Sequence, residues 1–276
     1  MTDLDIVGIG IWSPFFPDWP AFCDGINNGK WKSDAPLQPG LIPPRERRRA
    51  PQSVKMAVEV LDQACSMAAV SPASAATVFS SAMGDMQITD YLCKVLVAPP
   101  RLVSPTRFHN SVHNATTGYW SITRNSHAPT SAISALNYTA SMVFLEAAVQ
   151  AAEEDLPVLM VSQEMAAPAA LRTICPSDNP ISLALLLSKP GLFSAPLAPF
   201  RFGIQRKSTD WPALHPDLDE PFKGNFGSGL LPLLAAIASA DSVPSNAPAS
   251  LEFPLSKSAC LTVSLKNRGN IGAQYE

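Results

Sequence analysis

From residue 5 to residue 188 the chain alternates short apolar runs with segments whose apolar residues recur at helical spacing, and this alternation limits the fold more than any other feature. Runs too short for a helix and closed by turn-forming residues read as buried strands. They fall at residues 5–12, 76–81, 130–134, 157–162 and 181–188. Helices are expected at 18–27, from Pro51 onward with Met56, Val60, Ala64 and Met67 on one stripe, at 88–97, across 110–122, and at 137–152. A proline-rich loop spans 36–44. Helix and strand in alternation imply an α/β architecture, a largely parallel sheet of five strands with helices on both faces. Near residue 190 the composition shifts to Pro, Ser and Ala, and the remainder holds one helix (230–240), two strands (200–206 and 260–266) and loops. The expected organisation is a domain over 1–190 and a small, degenerate C-terminal extension over 191–276 packed on it.

Composition narrows the partners. Hydrophobic residues make up 46% of the chain and charged residues 16%. Two readings account for so few charges: a large core, or apolar surface covered by another subunit. The net charge is -3 and no basic stripe is present, which argues against nucleic acid as a partner. The one basic run, Arg45, Arg47, Arg48 and Arg49, reads either as a solvated loop at a helix start or as a docking site for an acidic carrier protein. The opening MTDLDIVGIG has acids where an export signal needs lysine or arginine. The longest apolar stretches, Ile181–Ser188 and 229–240, are too short to span a bilayer. Five cysteines without a CxxC pair argue against a disulfide scaffold and a zinc site, and point to a reducing cytoplasm.

Several motifs have plain structural readings. Gly8-Ile9-Gly10 lacks the third glycine of a dinucleotide loop and runs into Pro14 and Pro17 where a helix should open. Residues 224–229 (GNFGSG) read as an anion nest or as a turn before the helix at 230. His109 and His113 stand four apart, a metal-ligand spacing, but without a third ligand nearby. No cofactor or metal is expected.

The segment 104–146 carries the chemical information. Pro105, Asn114, Gly118, Ser121 and Ile122 match, without a gap, an interface segment of the β-ketoacyl synthase family. Further along, Ile133-Ser134-Ala135-Leu136-Asn137-Tyr138-Thr139-Ala140 falls on that family's strand and nucleophile elbow. IVGIGIWSP is similar to the family's first strand, and PVLMVSQE to the strand after the nucleophile helix. The resemblance runs from about residue 4 to residue 188. It puts Asn137 where the catalytic cysteine would stand, and an asparagine amide is not a nucleophile at neutral pH. The family's two second-half histidines also have no counterpart, since the last histidine is His215 in a loop-like stretch.

The chain thus resembles the catalytically silent chain length factors that pair with ketosynthases in type II polyketide systems. It is closest to a short subgroup associated with aryl polyene and xanthomonadin-type pigment clusters, through residues 108–114 and 118–122. The resemblance implies a thiolase-like half-molecule that forms a heterodimer or heterotetramer with a ketosynthase and meets an acyl carrier protein transiently. It assigns Met83, Met86, Thr106, Phe108, His109, Asn110, His113, Asn114 and Tyr138 to the interface and the floor of the partner's acyl tunnel. Arg47, Arg48 and Arg49 become the carrier-docking candidates. Two other classes stay open: a degenerate acyltransferase or hydrolase using Cys93, Cys175 or His113, and a carrier-protein-binding scaffold.

Overall fold

The computed structural model describes residues 1–32, 34–37, 41–239 and 250–266. One eight-stranded sheet runs through them in the order β3-β2-β4-β5-β1-β6-β8-β7. Its strands are β1 (Thr2–Trp12), β2 (Ala76–Ser80), β3 (Thr130–Ile133), β4 (Val158–Glu164), β5 (Ile181–Ser188), β6 (Ala198–Gln205), β7 (Ser250–Ser256) and β8 (Ala259–Leu265). The helices are α1 (Trp19–Asn28), α2 (Pro44–Arg47), α3 (Gln52–Met67), α4 (Met86–Val97), α5 (Pro105–His109), α6 (Ala115–Arg124), α7 (Thr139–Glu153), α8 (Pro216–Asp219) and α9 (Leu231–Ser239). The loop expected after residue 240 lies outside the described residues, as do the middle of the proline-rich loop and the last ten residues.

The α/β class holds, while strand number and pairing sense differ from the sequence expectation of a mostly parallel five-stranded sheet. Only β2 with β3 and β2 with β4 pair in parallel; β4–β5, β5–β1, β1–β6, β6–β8 and β8–β7 are antiparallel. The reason lies in the connections. Helices α4 to α6 separate β2 from β3, and α7 separates β3 from β4, so each link can cross over. Between β4 and β5 there is only a loop with one 3-10 turn (Ala169–Leu171), and the chain comes back antiparallel. The three late strands continue the same sheet beyond β1. Strand β7 is absent from the sequence expectation because Pro254 breaks its apolar run; as the sheet's edge strand it tolerates the missing N–H.

Both faces of the central strands are buried, which is why β4 and β5 read as unbroken apolar runs. Ile181, Leu183, Leu185 and Leu187 of β5 pack with α7 and α9 on one face, and Ala184 and Leu186 pack with α3 on the other. Helix α7 is buried along most of its length, including Val143, Phe144, Ala147 and Ala151.

Gly8 and Gly10 are a helix seat. A Cβ at Gly8 would collide with the carbonyl oxygen of Ala64, and one at Gly10 with that of Val60, so α3 lies directly on β1. The last stretch of β1 has no second strand beside it, because β6 pairs only with residues 2–6. Gln63 of α3 stands in for that strand: its Oε1 accepts from the Ile11 N–H at 3.0 Å while its Nε2 donates to the Pro17 carbonyl at 2.8 Å. The glycine-rich segment 224–229 is a turn, held by Asn225 Oδ1 accepting from the Gly227 N–H at 2.8 Å. Gly10→Ala should force α3 off the sheet and cost about 3 kcal/mol, the upper part of the range for overpacking. Urea denaturation would show a lowered midpoint at an unchanged slope.

Candidate functional site

Strand β2 ends at Ser80, and the chain then turns through residues 81–85 into α4. Asp85 caps that helix, its Oδ1 accepting from the Ile88 N–H at 3.0 Å, and its Oδ2 accepts from the Ser53 hydroxyl at 2.6 Å at the start of α3. The turn is therefore tied to the helix that Gly8 and Gly10 seat. Ser104 caps α5 in the same way, accepting from the Arg107 N–H at 3.4 Å, with Pro105 in the first turn.

The helix expected across 110–122 starts five residues late, and a separate short helix precedes it. Helix α5 stops at His109 and α6 starts at Ala115. The break has a local cause: Asn110 is buried, its Nδ2 donates to the Arg49 carbonyl at 2.9 Å and its Oδ1 accepts from the Tyr119 hydroxyl at 3.3 Å. His113 turns inward, with Nε2 3.0 Å from the Ser81 carbonyl oxygen and its ring edge-on to Phe79. A carbonyl only accepts, so Nε2 carries the proton, and in the neutral ring Nδ1 is an acceptor.

These segments enclose a cavity of about 290 Å³ between α3, the 81–85 turn, the 110–116 stretch and β4. Met83, Asn110 and His113, expected from the sequence, line it together with Asp85, Ser53 and Gln163, which sequence reasoning missed. Gln163 is 1% exposed, and its Oε1 has no hydrogen-bond partner. The remaining expected residues lie elsewhere. Met86 is buried in the core against α3. Thr106, His109 and Asn114 are exposed, and Phe108 is 65% exposed.

Asn137 is exposed in a 3-10 turn (Leu136–Tyr138) between β3 and α7, beside half-buried Tyr138. Leu136 takes a left-handed conformation, φ 49°. The Thr139 hydroxyl pins this elbow, donating to the Leu136 carbonyl at 2.8 Å and accepting from the Ala135 N–H at 2.9 Å. Arg47 folds back, with Nε and Nη2 donating to the Ile42 carbonyl, whereas Arg45, Arg48 and Arg49 are exposed. Cys93 is exposed, and Cys175 is buried with its thiol pushed up by burial and by the Glu164 charge. Among the described residues no group of three or more His, Cys, Asp or Glu could hold a metal ion, and no helix is long and apolar enough to cross a membrane.

The structure also brings forward Glu164, at the end of β4 and 1% exposed. Burial pushes its carboxyl up to about 7, against the pull of hydrogen bonds from the Ala82 N–H, the Ser81 hydroxyl and the Met83 N–H. The sequence signal was available: an acid closing an apolar strand seldom lies buried without partners.

The helix-flanked sheet, in which β3-β2-β4-β5-β1 stand in order, is a thiolase-like fold. The model of the β-ketoacyl synthase N-terminal domain matches residues 23–209, more than half of the chain, and the chain belongs to that family. No curated protein matches the sequence. Among solved structures, it is similar to a chain of the ketosynthase ApeO in complex with its chain length factor ApeC from Xenorhabdus doucetiae. That likeness has a TM-score of 0.66 and 17% identity, and covers 96% of this chain and 100% of the other. It is also similar to a chain of the ishigamide ketosynthase/chain length factor, with a TM-score of 0.71, 14% identity and coverage of 97% and 99%. A chain of AntDE:AntF, a type II PKS acyl-carrier protein in complex with its ketosynthase bound to the hexaketide, gives a TM-score of 0.74, 11% identity and coverage of 96% and 99%. At these identities the likeness shows the fold.

The folded protein holds the Glu164 proton more tightly than the unfolded chain does. Folding therefore takes up a proton between the ordinary glutamate value of 4.5 and about 7, and this group's contribution to stability falls as pH rises across that window. Glu164→Gln should flatten that part of the profile. Parallel denaturation series of the two proteins from pH 4.5 to 8 would show it as a difference that changes across the window and levels off above it.

Proposed function

We propose that this chain is a chain length factor, a subunit without its own condensing chemistry that pairs with a ketosynthase and closes the far end of its acyl tunnel. The observation that carries the reading is the elbow between β3 and α7. It keeps a left-handed residue and a pinning hydroxyl at the start of a buried helix, and presents Asn137 there. A ketosynthase elbow serves acyl transfer to a thiolate, and an asparagine amide supplies no such nucleophile. Exposed Cys93 has no partner base assigned in this reading, and buried Cys175 with its raised thiol is poorly suited to replace it.

The surface around β3 supports pairing. This strand ends the sheet, so one of its edges carries no strand among the described residues. The stretch leading into and out of it exposes Phe108, Val112, Ile122 and Leu136. Apolar side chains left in water favour cover by a second subunit. In this reading Phe108, with Thr106 and His109 beside it, faces the partner's tunnel, and Met83, Asn110 and His113 shape the wall behind. Exposed Arg48 and Arg49 remain available to an acidic carrier protein, whereas Arg47 is tied to its own loop. The five free cysteines fit a reducing cytoplasm. Assignment to aryl polyene synthesis rests on the sequence resemblance at 108–122.

Co-expression with the ketosynthase encoded beside it should give a stable complex on size exclusion, and only the pair should elongate. A monomer that leaves elongation unchanged would sink the reading. Phe108→Trp should shorten the products. Each methylene forced against a packed side chain costs about 1–3 kcal/mol, so the longest product should fall about tenfold or more relative to the next shorter one. Mass spectrometry of the product ladder reads this directly.

A further inference from the structure

We propose that Glu164 is the positioning residue of the cavity wall: its carboxylate gathers three donors of the 81–83 turn, and proton uptake releases at least one of them and re-sets the wall. This goes beyond the pairing reading and does not depend on it.

The geometry comes first. Strand β4 outruns β2, pairing with it only as far as Ser162 opposite Ser80. The next two residues of β4 therefore lie beside the turn that begins at Ser81. Gln163 faces the cavity, and Glu164, on the other face, reaches the turn from behind. Its Oε1 accepts from the Ala82 N–H and its Oε2 from the Ser81 hydroxyl at 3.2 Å, with the Met83 N–H as a further donor. Ser81 in turn accepts from the Gly84 N–H at 2.9 Å, where the chain takes φ 64°. Ala82, Met83, Gly84 and Asp85 are all cavity lining. One buried side chain thus fixes most of one wall through hydrogen bonds to its backbone.

The opposite side of Glu164 is closed. A Cβ on Gly227 would come within 3.2 Å of Glu164 Cγ, and Ile181 pairs with Glu164 across the β4–β5 ladder. Among the described residues, the ionisable side chain that feels the Glu164 charge is the Cys175 thiol, itself raised by burial. His113 lies one residue further, on the Ser81 carbonyl.

A carboxylate can accept from all three donors at once, whereas a carboxylic acid is itself a donor and loses acceptor capacity. The acid proton needs an acceptor, and the Ser81 hydroxyl can supply one only by ceasing to donate to Glu164, so the hydrogen bonding that holds the turn changes. Burial sets the exchange near neutral pH. The wall then has two arrangements, one for the carboxylate and one for the acid.

The test is an NMR titration of the whole chain from about pH 5.5 to 8.5. It follows the Glu164 δ-carbon, the Ala82 and Met83 amides, and the Met83 methyl group in the cavity. In the wild type all should move with one midpoint near 7. In Glu164→Gln that midpoint should vanish from the amides and the methyl. If it persists there, the turn reports some other event and the proposal fails. It also fails if Glu164 titrates while the turn stays still, or if the Glu164 δ-carbon shows no midpoint in this range. Should the glutamine variant not fold, Ser81→Ala serves instead. Losing one donor to the charged form should raise the midpoint by about one pH unit, and an unmoved midpoint would overturn the assignment.

Discussion

The close seating of α3 on β1 is the contact from which the rest of the architecture is set. Two glycines let the helix backbone reach the strand, and this puts the carbonyls of Val60 and Ala64 where side chains would otherwise stand. The consequence extends to both helix ends. Near the C-terminal end, Gln63 completes the hydrogen bonding of the last stretch of β1, which has a strand on one side only. At the N-terminal end, Ser53 meets Asp85 and draws the 81–85 turn against the helix. The cavity exists because that turn, the 110–116 stretch between α5 and α6, and β4 all converge on the face of α3.

A motif that superficially suggests phosphate binding is therefore a packing device. Glycines serve both purposes for one reason, the removal of a Cβ, and the neighbouring sequence decides between them. Here Pro14 and Pro17 follow, so no helix N-terminus is available to an anion, and the space left by the missing side chains is filled by α3.

How much of this was legible in the sequence depends on the kind of force involved. Strands such as Ile181–Ser188 are visible because burial on two faces demands an uninterrupted apolar run. The sense of pairing is less visible, because it turns on whether a helix fits into a linker such as the one between β4 and β5. Strand β7 was hidden by Pro254, whose cost is low only because it falls on the edge. The break at residues 110–114 was missed because apolar spacing carries no record of a side chain that captures a distant carbonyl, as Asn110 captures that of Arg49. In the cavity the resemblance pointed to Met83, Asn110 and His113, but Ser53, Asp85, Gln163 and Glu164 sit at element ends, where polar residues are ordinary. Only the structure shows that these ends meet.

The low charge of the chain allowed two explanations, a large core or apolar surface covered by another subunit, and the structure shows the first. A sheet covered on both faces, with α7 and α9 nearly enclosed, absorbs much of the apolar content without any partner. It does not absorb Phe108, Val112, Ile122 and Leu136, which stay in water in the stretch of chain from α5 to the turn after β3. The core had room for large side chains, since Trp120 on the same helix as Ile122 is fully buried. Their exposure is therefore a property of that face of the molecule and not of overcrowding inside. Strand β3 is only four residues long and pairs with β2 alone, so among the described residues the sheet ends there on a short unpaired edge.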